Sequence, residues 1–190
     1  EYLGVNPRGR IHTINADARW FVMNAHAKYD AIFCDAFNDL SIPFHLTTKE
    51  FNADVARLLD RNGFVAANVI DNYQRGELLP AYVNTIRSVF GDKNVALLGE
   101  WPATIADTQA TFVVVASTEV TPFVQQRRAG IDAVESVALT KYLAARHPPL
   151  LTDDYAPVDN LVASLFEQRY RYRSAGIPAR SDRASRPITK

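Results

Sequence analysis

Two acidic residues stand where chemistry is readily done. Asp17 closely follows the stretch Arg10-Ile11-His12-Thr13-Ile14-Asn15, and Asp35 directly follows Tyr29-Asp30-Ala31-Ile32-Phe33-Cys34, both strand-like. In an open α/β sheet, ligands sit beyond the C-terminal ends of the strands. A carboxylate placed there can hold an ammonium group, accept a proton or anchor a hydrogen-bond donor. The same residue can instead cap the next helix or close a turn. Other catalytic patterns are missing from the sequence. Four scattered histidines and the single cysteine, Cys34, have no metal-ligand spacing. Cys34 lies inside an apolar run and reads as core, not as a nucleophile. There is no Gly-x-Ser-x-Gly elbow and no Gly-rich phosphate loop.

The elements that must carry these acids follow from the apolar pattern. A turn at Asn6-Pro7-Arg8-Gly9 precedes a short strand over residues 10–15, with Ile11 and Ile14 as its apolar members, and a helix over residues 20–27 using Trp20, Phe21 and Met23. The continuous run Ala31-Ile32-Phe33-Cys34 predicts a strand covered on both faces. Thr47 or Thr48 caps a helix over residues 49–60, with Phe51, Val55, Leu58 and Leu59 on one face and Asn62-Gly63 as its stop. Residues 64–70 form a second buried strand. A helix from Leu79 to Phe90 carries Pro80 in its first turn and ends at Gly91. Strands over 94–98 and 111–117 are followed by helices over 120–128, 135–146 and 158–167. Strand–helix alternation ending in two neighbouring strands predicts an α/β domain with an antiparallel strand near one edge.

Composition narrows the function. The chain has 190 residues, 47% hydrophobic and 22% charged, enough for one domain with a substantial core. No apolar run approaches the roughly 20 residues that cross a bilayer, and no leader pattern opens the chain. With one cysteine and no internal disulfide, a reducing, cytoplasmic setting is expected. The net charge of zero is unevenly spread: residues 168–190 hold seven basic residues against one acid, Asp182, so residues 1–167 carry a net −6. Such a body suits a cationic amine better than nucleic acid. Residues 168–190 read as a basic, poorly ordered tail attached to a domain spanning 1–167.

Four segments resemble one family. Tyr29-Asp30-Ala31-Ile32-Phe33-Cys34-Asp35-Ala36-Phe37 resembles the strand that delivers the catalytic aspartate of spermidine synthases. Ile42-Pro43-Phe44-His45-Leu46-Thr47-Thr48-Lys49-Glu50-Phe51 resembles the start of the helix after it. Asp17-Ala18-Arg19 resembles the family's adenine-side turn. Leu151-Thr152-Asp153-Asp154-Tyr155-Ala156-Pro157-Val158-Asp159 resembles the C-terminal signature of the bacterial branch that includes transporter-fused spermidine synthases. The resemblance implies a doubly wound, Rossmann-like methyltransferase-type sheet lacking its first strands. It also implies aminopropyl transfer from decarboxylated S-adenosylmethionine to a di- or polyamine, with methylthioadenosine as product and no metal. On that basis Asp35 is the general base, Asp17 and the Ala18 backbone bind the adenine, and Asn38 and Asp39 line the amine site; His45 either joins them or packs and hydrogen-bonds at the helix entry. Asp153 and Asp154 organise a turn over the sheet.

Departures from the family pattern accompany the match. The family's second aspartate, three residues after the catalytic one, is here Asn38, with Asp39 next to it. The Gly-rich turn after the first strand and the ribose-binding acid are absent, so the chain reads as a fragment that is inactive alone or has its bare strand edge covered by a second copy or a further N-terminal region. Two alternative functions stand beside aminopropyl transfer: methyl transfer from S-adenosylmethionine, and a non-catalytic binding or oligomerisation module on the same fold.

Overall fold

The computed structural model describes residues 11–36, 42–100, 107–119, 131–134 and 136–163. Expectations for residues 1–10, for Asn38 and Asp39, for the helix over 120–128, for 164–167 and for the basic tail lie outside the described residues.

Five strands form one mixed sheet in the order β1-β2-β4-β3-β5. They are β1 (Tyr29–Cys34), β2 (Leu59–Asn72), β3 (Val95–Glu100), β4 (Gln109–Ser117) and β5 (Ile131–Val134). β1 runs parallel to β2, pairing Cys34 with Ala67, while β2–β4, β3–β4 and β3–β5 are antiparallel. The helices are α1 (Ala18–Asn24), α2 (Lys49–Leu58), α3 (Leu78–Phe90), α4 (Ser136–Arg146) and α5 (Val158–Leu161). α/β alternation is therefore as the apolar pattern implies, and β5 is an element that the pattern did not reveal.

The core lies between the sheet and α2 and α3. Phe51, Val55 and Leu58 make the buried stripe of α2, at the spacing of successive helical turns. Thr48, itself fully buried, caps this helix by accepting from Phe51 N at 3.3 Å. α3 is buried almost all round, with Leu78, Leu79, Tyr82, Val83 and Ile86 at most 1% exposed. It ends as expected at Gly91, whose φ of 87° is a backbone conformation that suits glycine. Val65, Ala67 and Val69 present the buried face of β2 to these helices.

Several expectations need correction. Ile11–Asn15 is not a strand, and Ile11 and Ile14 are about 60% exposed, because no neighbouring strand is present among the described residues to pair with it. α1 buries Val22 and leaves Trp20 and Met23 exposed. β1 is covered on one face only by described residues: Ile32 and Cys34 pack on the core, whereas Phe33 is 74% exposed and stands edge-on to Phe64 at 5.8 Å. Asn62-Gly63 does not stop α2, which ends at Leu58. The two residues lie in a register shift of β2, where Tyr29 pairs with Leu59 but Ala31 pairs with Phe64. A Cβ on Gly63 would lie 2.7 Å from the Tyr29 carbonyl oxygen, so this close strand approach accounts for the glycine.

Candidate functional site

Asp35 projects from the C-terminal end of β1 and is exposed. Its neighbour across the sheet is Asn68 of β2, one residue beyond the Cys34–Ala67 pair, and Asn68 Nδ2 donates to Asp35 Oδ1 at 3.0 Å. The parallel pairing of β1 and β2 sets this contact, since it brings the C-terminal end of β1, where sheets of this kind bind ligands, level with Asn68 in the interior of the longer β2.

Asp17 sits elsewhere, as the N-cap of α1. Its Oδ1 accepts from Trp20 N at 3.0 Å and its Oδ2 meets His45 Nε2 at 3.3 Å. The Trp20 backbone N–H, with help from His45, holds the Asp17 carboxyl below its usual range. Ala18 opens α1. Asp17, Ala18 and His45 therefore form one corner. Among the described residues, Asp35 has its hydrogen bond to Asn68 and none to that corner.

Arg19 ties three separate stretches of sequence together. Its guanidinium donates to the His45 carbonyl at 2.8 Å, to Thr48 Oγ1 at 3.2 Å and to Asp153 Oδ1 at 2.8 Å, with a second bond to Asp153 Oδ2. The turn holding Asp153 is fastened further: Asp153 N donates to Glu50 Oε2 at 3.0 Å, and Lys49 N donates to the Leu151 carbonyl at 2.8 Å. Arg19 keeps the Asp153 carboxyl below its usual range, chiefly by hydrogen bonding. Asp153 is thus an organiser of the turn, as its sequence context implies. A signal for Arg19 was present but unused: a cation in the first turn opposes the helix dipole and needs a partner elsewhere.

A third strand-end acid, Asp71, escaped sequence reasoning although it follows the apolar run 64–70 as Asp35 follows its own. It is fully buried, accepting from Leu79 N at 2.6 Å and Asn72 N at 2.8 Å. Burial pushes its carboxyl up to about 6, against the pull of those two N–H groups and of Arg146. Arg146 in turn donates to the carbonyls of Tyr73 at 2.8 Å and Gly76 at 3.1 Å and lies over the Tyr142 ring. These contacts make Asp71 the buried anchor of the β2–α3 loop. Burial also raises the Cys34 thiol to about 11, which keeps it protonated near neutral pH, in keeping with a core residue.

A cleft of about 200 Å³ opens beside the start of α2, lined by Ile42, Phe44 and the stretch Ala156 to Asn160. Neither Asp35 nor Asp17 lines it. Among the described residues, no group of three or more His, Cys, Asp or Glu side chains is arranged to hold a metal ion. Nor is any helix among them long and apolar enough to cross a membrane.

No family model matches the chain. A curated polyamine aminopropyltransferase of Vibrio vulnificus (strain CMCP6) is 40% identical over 86 residues, 44% of this chain and 27% of that protein. A probable polyamine aminopropyl transferase of Bifidobacterium longum (strain NCC 2705) is 35% identical over 79 residues, 41% of this chain and 18% of that one. The chain thus spans about a quarter or less of these relatives. Among solved structures, a probable spermidine synthase from Corynebacterium glutamicum ATCC 13032 superposes with a TM-score of 0.57 at 18% identity, covering 71% of this chain and 52% of that one. The fold is accordingly shared with that structure, and the resemblance to the spermidine synthase-like family is borne out over the part matched.

Proposed function

We propose, from this kinship with polyamine aminopropyltransferases, that the chain takes part in aminopropyl transfer from decarboxylated S-adenosylmethionine to a di- or polyamine, with Asp35 as general base. The observation that carries the reading is the exposed Asp35 carboxylate at the end of β1, held on one side by Asn68 and open on the other among the described residues.

The chemistry asks for such a group. A free amine titrates near pH 10, so near neutral pH the attacking nitrogen arrives as an ammonium. A fixed carboxylate holds that ammonium, takes one proton and aligns the nitrogen lone pair with the carbon to be attacked. The new N–C bond forms as the C–S bond breaks, and its electron pair returns to sulfur, releasing neutral methylthioadenosine. Asp17 and the Ala18 backbone would receive the adenine. Each oxygen of the Asp17 carboxylate has capacity beyond the Trp20 or His45 contact that it already makes. The His45–Asp17 contact supports a role for His45 in steadying Asp17 rather than in meeting the amine. Asn38 and Asp39 remain the candidates for the far end of the amine, and a reducing, cytoplasmic setting completes the reading.

One observation favours a second reading, a binding module without catalysis: Asn38 stands where the family pattern has an aspartate, and an amide supplies no charge to a diammonium substrate. Calorimetric titration with methylthioadenosine, with S-adenosylhomocysteine as comparison, separates the readings. Aminopropyl transfer predicts selective binding of methylthioadenosine. Preference for S-adenosylhomocysteine would point to methyl transfer, and no binding of either, in the complete gene product as well as in this chain, would favour the module.

A further inference from the structure

β2 is apolar from Phe64 to Ile70 except at Asn68. An asparagine is poorly suited to a strand interior, and this one is incompletely satisfied. Its Nδ2 donates to Asp35 Oδ1 at 3.0 Å, while its Oδ1 is buried and has no hydrogen-bond partner among the described residues. Leaving a buried amide oxygen unpaired is unfavourable. Turning the amide over would do worse, because it would set Oδ1 against the Asp35 carboxylate and bury an unpaired donor. The amide orientation is therefore dictated by Asp35.

From this we infer that Asn68 is a positioning residue for Asp35, an inference that rests on Asp35 being the base. By holding Oδ1, the amide fixes the rotation of an otherwise exposed carboxylate and leaves Oδ2 to meet the ammonium and take its proton. A donor that bonds to the ionised carboxylate fixes the geometry without itself exchanging protons with substrate. Asn68 supplies that donor from a strand, a more rigid mount than a loop.

Two measurements test this independently. In the NMR spectrum of the chain, the Asn68 side-chain amide signal, identified by its loss in Asn68→Ala, is expected to move in Asp35→Ala; an unmoved signal would overturn the pairing. In turnover assays, Asn68→Ala is expected to lower kcat about tenfold while leaving methylthioadenosine affinity within about threefold. Asn68→Asp, which keeps the shape but replaces the donor by a second carboxylate, is expected to move the acid limb of kcat/KM to higher pH. Both variants retaining kcat within about twofold, while Asp35→Asn loses it, would contradict the positioning role. If the wild-type chain makes no methylthioadenosine, the catalytic reading falls by itself, and the amide signal alone decides whether Asn68 holds Asp35.

Discussion

Arg19 gathers the backbone of the 3-10 turn over Phe44–Leu46, the buried cap of α2 and the Asp153 carboxylate around one guanidinium. Removing it takes one of the two donors from the Thr48 oxygen, leaves the His45 carbonyl without this donor and frees the Asp153 turn. Arg19→Ala is expected to destabilise the fold by about 1–3 kcal/mol, read from urea denaturation. Asp71 acts with the opposite sign as pH changes. Its folded carboxyl, near 6, lies above the 3.8 of a free aspartate, so the folded state binds the proton more tightly. Its contribution to stability grows as pH falls from about 6 toward 3.8 and is lost as pH rises through 6. The groups facing it are the N–H groups of Asn72, Leu78 and Leu79, together with Arg146 and Tyr142 of α4. Between pH 7 and pH 5 the wild-type chain should gain roughly 1 kcal/mol from this residue, and Asp71→Asn should lack that gain. Equal pH slopes in the two proteins would refute the assignment.

At the scale of elements, the loop between β2 and α3 is built around a glycine. A Cβ on Gly76 would lie 1.9 Å from Asp71 Oδ1 and 2.5 Å from the Asn72 carbonyl oxygen. Both neighbours are locked in hydrogen bonds, so Gly76→Ala is expected to cost about 1–3 kcal/mol in thermal or chemical denaturation. The same element shows what the sequence conveyed and what it did not. α2 and α3 were legible because their apolar stripes, their caps at Thr48 and Gly91, and Pro80 in the first turn of α3 all act locally. The strand expected over residues 10–15 failed because two isoleucines at i and i+3 do not make a ladder; a strand requires a partner. Asp35 was legible as a strand-end acid followed by a family-like helix start. Asn68 and Asp71 were visible only as polar residues within and directly after an apolar run; what each does comes from pairing across the sheet and from burial, which the local pattern does not record.

The molecule as a whole presents an unbalanced sheet. β1 pairs with β2 on one side and with no described strand on the other, and Phe33 is 74% exposed on it. An edge with free backbone groups and an exposed aromatic is a template for association. The isolated chain is expected to self-associate with rising concentration in sedimentation experiments, and Phe33→Lys to reduce that association; a wild-type chain that stays monomeric throughout would contradict the expectation. The sheet edge also carries Asp35, so whatever covers β1 would lie beside the proposed base.

Turnover by this chain, given decarboxylated S-adenosylmethionine and a short diamine, tests the central claim most directly. The account predicts that methylthioadenosine forms, and that Asp35→Asn lowers its rate at least about a hundredfold while methylthioadenosine affinity changes by no more than a few fold. Unchanged turnover in Asp35→Asn would contradict the account.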